Sequence, residues 1–137
     1  MTISFDAVLF DCDGVLVDSE PITNGVLCRM LGELGWQLSL HECMAVFVGN
    51  TVMDKAALVQ EQTGFALTPA WLERFRAERN AALERDLQPV PGIQAAVPAV
   101  FAALQGRIAC ASGADRIKVV LQIDKAGLMP YFDDRIF

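Results

Sequence analysis

The stretch that decides the fold reads Phe-Asp-Ala-Val-Leu-Phe-Asp-Cys-Asp-Gly at residues 5–14 and continues as Val-Leu-Val-Asp-Ser-Glu to residue 20. A short apolar run ends here at two carboxylates one residue apart, which is the pattern of a buried parallel strand that opens into a polar loop. From ordinary residue frequencies, three aspartates and a glycine at these offsets arise by chance about once in 10⁵ windows. Chance is therefore a poor explanation of the motif.

Two further segments repeat the strand pattern. Residues 107–111 form a second run, which stops at Ser112-Gly113 and is followed by apolar positions at helical spacing over residues 117–123. Residues 135–137 read as the start of a third strand, reached through a turn-rich segment. Strands that alternate with helices predict an α/β fold built on a parallel sheet.

Between the first two strands the sequence predicts only helices. Helix starts are marked by Pro21, by Ser39, by Thr51 and by the pair Thr68-Pro69. Pro98, in the stretch that leads back to the second strand, predicts a kink or a late helix start.

This order predicts two domains. Residues 1–20 and 90–137 form the N-terminal part of an α/β core, and residues 21–89 form an inserted helical domain. An insertion that enters just beyond the carboxyl end of a strand lies where open α/β sheets bind ligands. The helical domain is therefore placed to act as a lid.

The two carboxylates at the end of the first strand can divide two tasks. Asp11 can attack phosphorus in line and form an aspartyl-phosphate, while Asp13 can protonate the leaving oxygen and later deprotonate the attacking water. Gly14 permits a turn that lets amide groups approach phosphate oxygens. A divalent cation such as Mg²⁺ is required for a carboxylate to meet an anionic phosphate. The alternative is a polar turn with capping aspartates.

Ser112 ends the second strand in the equivalent place, with Gly113 after it and a helix start near Ala114-Asp115. A hydroxyl and free amides at a helix N-terminus form an anion site. We interpret Ser112 and Gly113 as phosphate-binding residues, and a simple helix cap is the alternative. Cys12, between the two aspartates, should point into the core because alternate strand residues face opposite ways.

Composition narrows the class of protein. The 137 residues are 53% hydrophobic and 20% charged, which excludes a disordered or collagen-like chain. A net charge of -6 repels a phosphate backbone and argues against a nucleic-acid binder. The sequence offers neither an apolar run of membrane-spanning length nor a secretory start. We expect a cytoplasmic protein with no nucleic-acid or membrane partner, and its oligomeric state is left open.

The Asp11 motif, Ser112 after the second strand and the helical insertion between them closely resemble the haloacid dehalogenase-like hydrolases, in the branch with a small helical cap. The resemblance implies a Rossmann-like core and an Mg²⁺-dependent phosphatase that acts on a small phosphorylated metabolite, a sugar or sugar-acid phosphate. It makes Asp11 nucleophile and metal ligand. It makes Asp13 the acid/base, with its backbone carbonyl on the metal, and Ser112 a ligand of the phosphoryl group.

The same resemblance narrows the reaction. Dehalogenases of this family lack the second aspartate, since a halide leaving group needs no proton, so Asp13 favours phosphate chemistry. Phosphonate-cleaving relatives also lack it and carry a cap lysine where this chain has Val52. Mutases resembling β-phosphoglucomutase carry an arginine at that position and a histidine near the position of Thr23, and this chain has neither residue there. Hydrolysis is therefore favoured over mutation.

On the substrate side, the resemblance points to Glu20 at the end of the motif and to Gly49, Asn50 and Thr51 in the cap. Gly49 allows close approach, while Asn50 and Thr51 can bind sugar hydroxyls. For Thr51, a cap that opens the next helix is an equal alternative.

Two motifs of the family have no counterpart in this chain: a lysine that holds the nucleophile and phosphate, and an acidic loop that completes the metal site. Lys118 and Lys125 do not match the position of that lysine, and Asp133 and Asp134 precede the third strand. We therefore interpret the chain as the N-terminal portion of a longer enzyme and expect little or no turnover from it alone. The alternative is a non-catalytic fragment that at most binds a phosphorylated ligand.

Overall fold

The sheet is short and parallel in the computed structural model, which describes residues 4–137. β1 (Val8–Phe10) and β2 (Ile108–Cys110) pair with Phe10 opposite Cys110. On its other edge, Cys110 donates its N–H to Arg135 O and accepts at its carbonyl from Phe137 N–H, both at 2.9 Å. The expected third strand therefore begins where the sequence places it, as a parallel bridge between Cys110 and Ile136.

Helices make up most of the remaining described residues. They are α1 (Glu20–Glu33), α2 (Leu40–Phe47), a 3-10 turn (Met53–Lys55), α3 (Ala56–Thr63), α4 (Pro69–Asp86), α5 (Ile93–Ala103), α6 (Arg116–Lys125) and α7 (Met129–Phe132). The α/β class predicted from the sequence is confirmed by this order and by the parallel strand pair. Within residues 4–137, none of these helices is both long enough and apolar enough to cross a bilayer.

The chain divides into two units. Unit 1 runs up to Ser19 and resumes over Leu87–Phe137, and unit 2 is Glu20–Asp86. In unit 1, the segments that precede and follow unit 2 lie side by side: Asp18 N–H donates to Gln88 O and Val90 N–H donates to Leu16 O, each at 3.0 Å. The discontinuous unit is therefore closed by backbone hydrogen bonds at the point where the chain leaves and returns.

Unit 1 buries an apolar core around the sheet. Phe132 is fully buried, and its ring packs edge-to-face with that of Phe10, with the ring centroids 5.7 Å apart. α6 contributes the buried side chains of Val119 and Ile123. Apolar surface also stays open on the sheet, since Leu9 is 66% exposed and Phe137 75% exposed. Part of the apolar area of the sheet therefore remains in contact with solvent.

Unit 2 is a helical cluster with its own core. α1 packs against α2 and α4, and the buried side chains are Leu27, Met30, Leu31, Cys43, Phe47, Val59, Trp71 and Phe75. On its surface, Glu33 pairs with Arg29 at 2.9 Å and with Arg74 at 2.7 Å, and Glu78 pairs with the same two arginines. These pairs are exposed and add little stability compared with the core.

Most helix starts agree with the sequence. Ser39 forms a reciprocal capping box with Glu42, and Thr68 Oγ accepts from Trp71 N–H at 3.1 Å. Thr51 caps a 3-10 turn instead of an α-helix, because Asp54 closes the turn back onto it, so the α-helix expected from Thr51 begins only at Ala56.

Of the two alternatives predicted from Pro98, a kink or a late helix start, the late start is wrong. α5 begins at Ile93 and contains Pro98 in its interior. The proline removes one backbone hydrogen bond, which an 11-residue helix can tolerate when its apolar side is buried, as it is at Val97.

Replacing Leu31 by Ala is expected to lower the free energy of unfolding of unit 2 by about 2 to 5 kcal/mol, because the side chain is fully buried among α1, α2 and α4. Both tryptophans, Trp36 and Trp71, lie in unit 2, so urea denaturation followed by tryptophan fluorescence reports on this unit. Leu40→Ala is the matched control, since that leucine is 43% exposed. Equal losses in the two variants would contradict the assigned core.

Candidate active site at the ends of two parallel strands

The sheet brings the two predicted motifs to one edge. Phe10 and Cys110 are the last residues of their strands and lie opposite each other, and Ala111 N–H donates to Phe10 O at 2.8 Å. Because the strands are parallel, Asp11 and Ser112 leave the sheet at the same carboxyl edge. Ligand sites of open α/β sheets lie at this edge.

The loop after β1 is a tight turn closed on itself. Cys12 O accepts from Leu16 N–H at 2.9 Å, and Gly14 N–H donates to Val17 O at 2.8 Å. Gly14 has a φ of +74°, a conformation that favours glycine. Its amide is engaged inside the turn, so in this structure it does not point a free donor at a phosphate.

Cys12 is fully buried, which confirms that it points into the core. Its contact with Cys110 and its burial raise the pKa of the Cys12 thiol, so the group stays neutral. Asp11, on the other side of the strand end, is exposed, and its Oδ1 accepts from Cys12 N–H at 2.7 Å. The strand alternation therefore separates a solvent-facing carboxylate from a neutral buried thiol.

Asp13 is held by two donors on one oxygen. Its Oδ1 accepts from Ser19 Oγ at 2.6 Å and from Lys118 Nζ at 2.7 Å. The side chains of Asp13 and Lys118 are only 15% and 9% exposed, and Ser19 is fully buried. Burial alone would raise the pKa of the Asp13 carboxyl, but the charge and hydrogen bond of Lys118, together with the bond from Ser19, lower it below its ordinary value.

Ser112 is engaged as a cap in this structure. Its Oγ accepts from Ala114 N–H at 3.1 Å, and its own N–H donates to Phe137 O at 2.9 Å. Asp115 is the N-cap residue of α6 and accepts from Lys118 N–H at 3.0 Å. The cap alternative for Ser112 is thus present, while Gly113 lies exposed beside the N-terminus of α6.

The predicted substrate residues all lie in unit 2: Glu20, Gly49, Asn50 and Thr51. Glu20 opens α1 and accepts from Asn24 Nδ2 at its backbone oxygen, at 2.9 Å. Gly49 has a φ of +81°, and both Gly49 and Asn50 are exposed. Thr51 is also exposed, but its hydroxyl accepts from Asp54 N–H at 3.2 Å, so its cap alternative is present.

The donor set at the β1 edge fits a hard cation. Mg²⁺ is commonly held by one or two carboxylates together with water and substrate phosphate. Asp11 offers an exposed carboxylate, whereas the Asp13 carboxylate is engaged by Lys118. Within residues 4–137, three acidic, histidine or cysteine side chains do not come together in a metal cluster.

Lys118 is the site residue that sequence reasoning missed. Its place on α6 does not match that of the family lysine, which follows a third strand. A signal existed: Lys118 and Gln122 are polar at a spacing of four among the buried apolar positions of α6, Val119 and Ile123. Buried polar side chains on the apolar face of a helix need partners, and the nearest polar segment is the loop after β1.

Comparisons with known proteins agree with this geometry. The family described as haloacid dehalogenase-like hydrolase matches residues 5–137. The 6-phosphogluconate phosphatase of Escherichia coli (strain K12) is 29% identical over 133 residues, which cover 96% of this chain and 58% of that protein.

Two solved structures share the fold over nearly the whole chain. A haloacid dehalogenase-like protein of unknown function from Agrobacterium tumefaciens str. C58 has a TM-score of 0.78 at 31% identity, covering 98% of this chain and 59% of that one. A HAD family hydrolase from Deinococcus radiodurans R1, with bound phosphate and sodium, has a TM-score of 0.70 at 34% identity, covering 97% and 57%. The chain therefore spans a little under three fifths of the length of these relatives.

Proposed function

The chain belongs to the haloacid dehalogenase-like hydrolases, and from that premise we propose that it carries the catalytic aspartates of a phosphatase for a small phosphorylated metabolite. The observation that carries the proposal is the pair of carboxylates at the end of β1: Asp11 is exposed, and Asp13 is held by Lys118 and Ser19. Two carboxylates in such different surroundings are suited to different tasks.

In the first step, an oxygen of Asp11 forms a bond to phosphorus while the bond from phosphorus to the leaving alcohol breaks. Asp13 gives its proton to the leaving oxygen. In the second step, water attacks the aspartyl-phosphate, Asp13 takes the proton of that water, and Asp11 is released with inorganic phosphate. Each cycle consumes one phosphate ester and one water and releases one alcohol and one inorganic phosphate.

The environment of Asp13 suits both of its tasks. The lowered pKa of its carboxyl favours the base that deprotonates water. A phosphate dianion beside the same carboxyl would raise that pKa, because a like charge disfavours ionisation, and this supports the acid needed in the first step.

We propose that the reaction requires Mg²⁺ and that this chain would hold the ion through the Asp11 carboxylate and the backbone carbonyl of Asp13. When bound, it would neutralise charge between the Asp11 carboxylate and the phosphate. Ser112 and Gly113, at the N-terminus of α6, are proposed as phosphate ligands, and Gly14 as the residue that permits the turn of the Asp11 loop. For Ser112, phosphate binding requires that its hydroxyl exchange the bond to Ala114 for one to the ligand.

We propose a sugar or sugar-acid phosphate as the substrate, which the similarity to 6-phosphogluconate phosphatase supports. Unit 2 is proposed as the cap that selects it, with Glu20, Gly49, Asn50 and Thr51 as the selecting residues. Charged phosphate esters do not pass readily through a bilayer. We therefore propose that the protein is cytoplasmic, in the same compartment as its substrate.

The test is phosphate release by the full-length protein with Mg²⁺ from a panel of esters: 6-phosphogluconate, a hexose 6-phosphate and a two-carbon acid phosphate. We expect the sugar-acid phosphate to give the highest kcat/KM, by about tenfold, since each missing polar contact costs about 1.4 kcal/mol or more. Chelation of Mg²⁺ is the control. Release of phosphate from none of these esters would contradict the proposal, and isomerisation of a sugar phosphate without release would indicate a mutase.

A further inference from the structure

Lys118 has no task in the mechanism above, although its ammonium group lies 2.7 Å from the acid/base carboxylate. The residue sits in the first turn of α6, where its backbone N–H is fixed by the Asp115 cap at 3.0 Å. Its side chain is only 9% exposed. A nearly buried ammonium group is costly unless a carboxylate balances it, so this lysine is committed to Asp13.

The two oxygens of Asp13 are not equivalent. Lys118 Nζ and Ser19 Oγ both donate to Oδ1, at 2.7 and 2.6 Å, and neither donates to Oδ2. Two donors that approach one oxygen from α6 and from the end of the loop fix both its position and the plane of the carboxylate. Charge-assisted bonds of this kind are stronger than neutral ones.

α6 also supports the loop one residue earlier. Gln122 lies one turn beyond Lys118 and is fully buried; its Nε2 donates to Cys12 Sγ at 3.4 Å, and its side chain also hydrogen-bonds the Asp13 carboxylate. The same helix face therefore contacts both Cys12 and Asp13, so the position of the loop depends on α6.

We propose that Lys118 is a positioning residue: together with Ser19 it anchors Oδ1 of Asp13, so that Oδ2 is the oxygen that passes a proton to the leaving group and takes one from water. The proposal rests on the proposed function. It predicts that loss of Lys118 slows formation of the aspartyl-phosphate far more from an alkyl ester, whose leaving oxygen needs a proton, than from an aryl ester, whose aryl oxide leaves readily without one.

The test compares Lys118→Met and Lys118→Arg in the full-length protein on two esters, p-nitrophenyl phosphate and a hexose 6-phosphate. Lys118→Met is expected to form the aspartyl-phosphate from the hexose ester about 10²-fold more slowly in rapid-quench measurements, the usual contribution of general acid catalysis. The loss on the aryl ester should be several-fold at most, with KM little changed on either, and Lys118→Arg should recover most of the hexose ester activity. Lys125→Met is the control, because Lys125 is an exposed lysine on the same helix. Equal losses on both esters, or no loss, would overturn the proposal.

A second measurement separates this proposal from the proposed function. Thermal melting of Lys118→Met, Asp13→Asn and the double variant forms a double-mutant cycle. If Lys118 anchors Asp13, the double variant melts at a temperature above that expected from adding the two single shifts. Additive shifts would overturn the anchoring. If the wild-type protein hydrolyses neither ester, the proposed function fails, and this cycle alone decides whether the anchor exists.

Discussion

Asp11→Asn is expected to reduce phosphate release by a factor on the order of 10⁴ or more, because the amide cannot form the phosphoryl ester that the first step requires. The substitution keeps the size of the side chain. It also keeps an oxygen that can accept from Cys12 N–H, the bond that Asp11 makes at 2.7 Å, and the residue is exposed. Folding should therefore be unaffected, and the loss can be assigned to chemistry.

The measurement is steady-state phosphate release by the full-length protein, together with mass spectrometry of acid-quenched enzyme. Wild-type protein should carry one phosphoryl group on the peptide that contains Asp11, and the variant should carry none. Asp6→Asn is the matched control, since Asp6 is an exposed aspartate before β1. Activity of Asp11→Asn within tenfold of wild type would show that another residue is the nucleophile.

Asp13→Asn is expected to lower the stability of unit 1 by about 3 kcal/mol at pH 7, because it leaves the nearly buried ammonium group of Lys118 without its counter-charge. The pKa of Asp13 is lower in the folded protein than its ordinary value of 3.8. The ion pair therefore stabilises the fold fully above that ordinary value, and its contribution is lost as the pH falls through the folded pKa. The difference between wild type and variant should shrink from about pH 5 downward.

Hydrogen exchange can follow this effect in unit 1 itself. The amides of Cys110 and Ala111 donate to Arg135 O and Phe10 O, so their protection reports on the sheet. Asp124→Asn, an exposed position on α6, should change their protection little at any pH. A difference between wild type and Asp13→Asn that stays constant down to pH 2 would mean that the ion pair does not stabilise unit 1.

Features set by neighbouring residues were predictable from the sequence. Ser39 and Thr68 cap their helices because a short hydroxyl side chain reaches the amide three residues ahead, wherever the helix then packs. Cys12 is buried because its position in the strand alternation requires it. Thr51 shows the limit of such reasoning: its cap was predictable, but the 3-10 geometry of the turn that follows was not.

Features that join distant parts of the chain were not predictable in the same way. The bond between Lys118 and Asp13 links residues 105 positions apart, and it depends on how α6 packs against the loop after β1. The sequence identifies Asp13 from its motif, but the spacing within the motif carries no information on its partner.

The hydrogen bond between Asp18 and Gln88 bears on how the protein folds. β1 and β2 pair Val8 with Ile108, so forming the sheet requires closure of a loop of 100 residues. If Glu20–Asp86 folds first, its two ends come together and the loop that remains is about a third as long, which lowers the entropic cost of closure by about 1 kcal/mol. Because folding rates fall as contacts become more distant in sequence, an insertion that folds first would speed the pairing of the strands that carry the proposed active site.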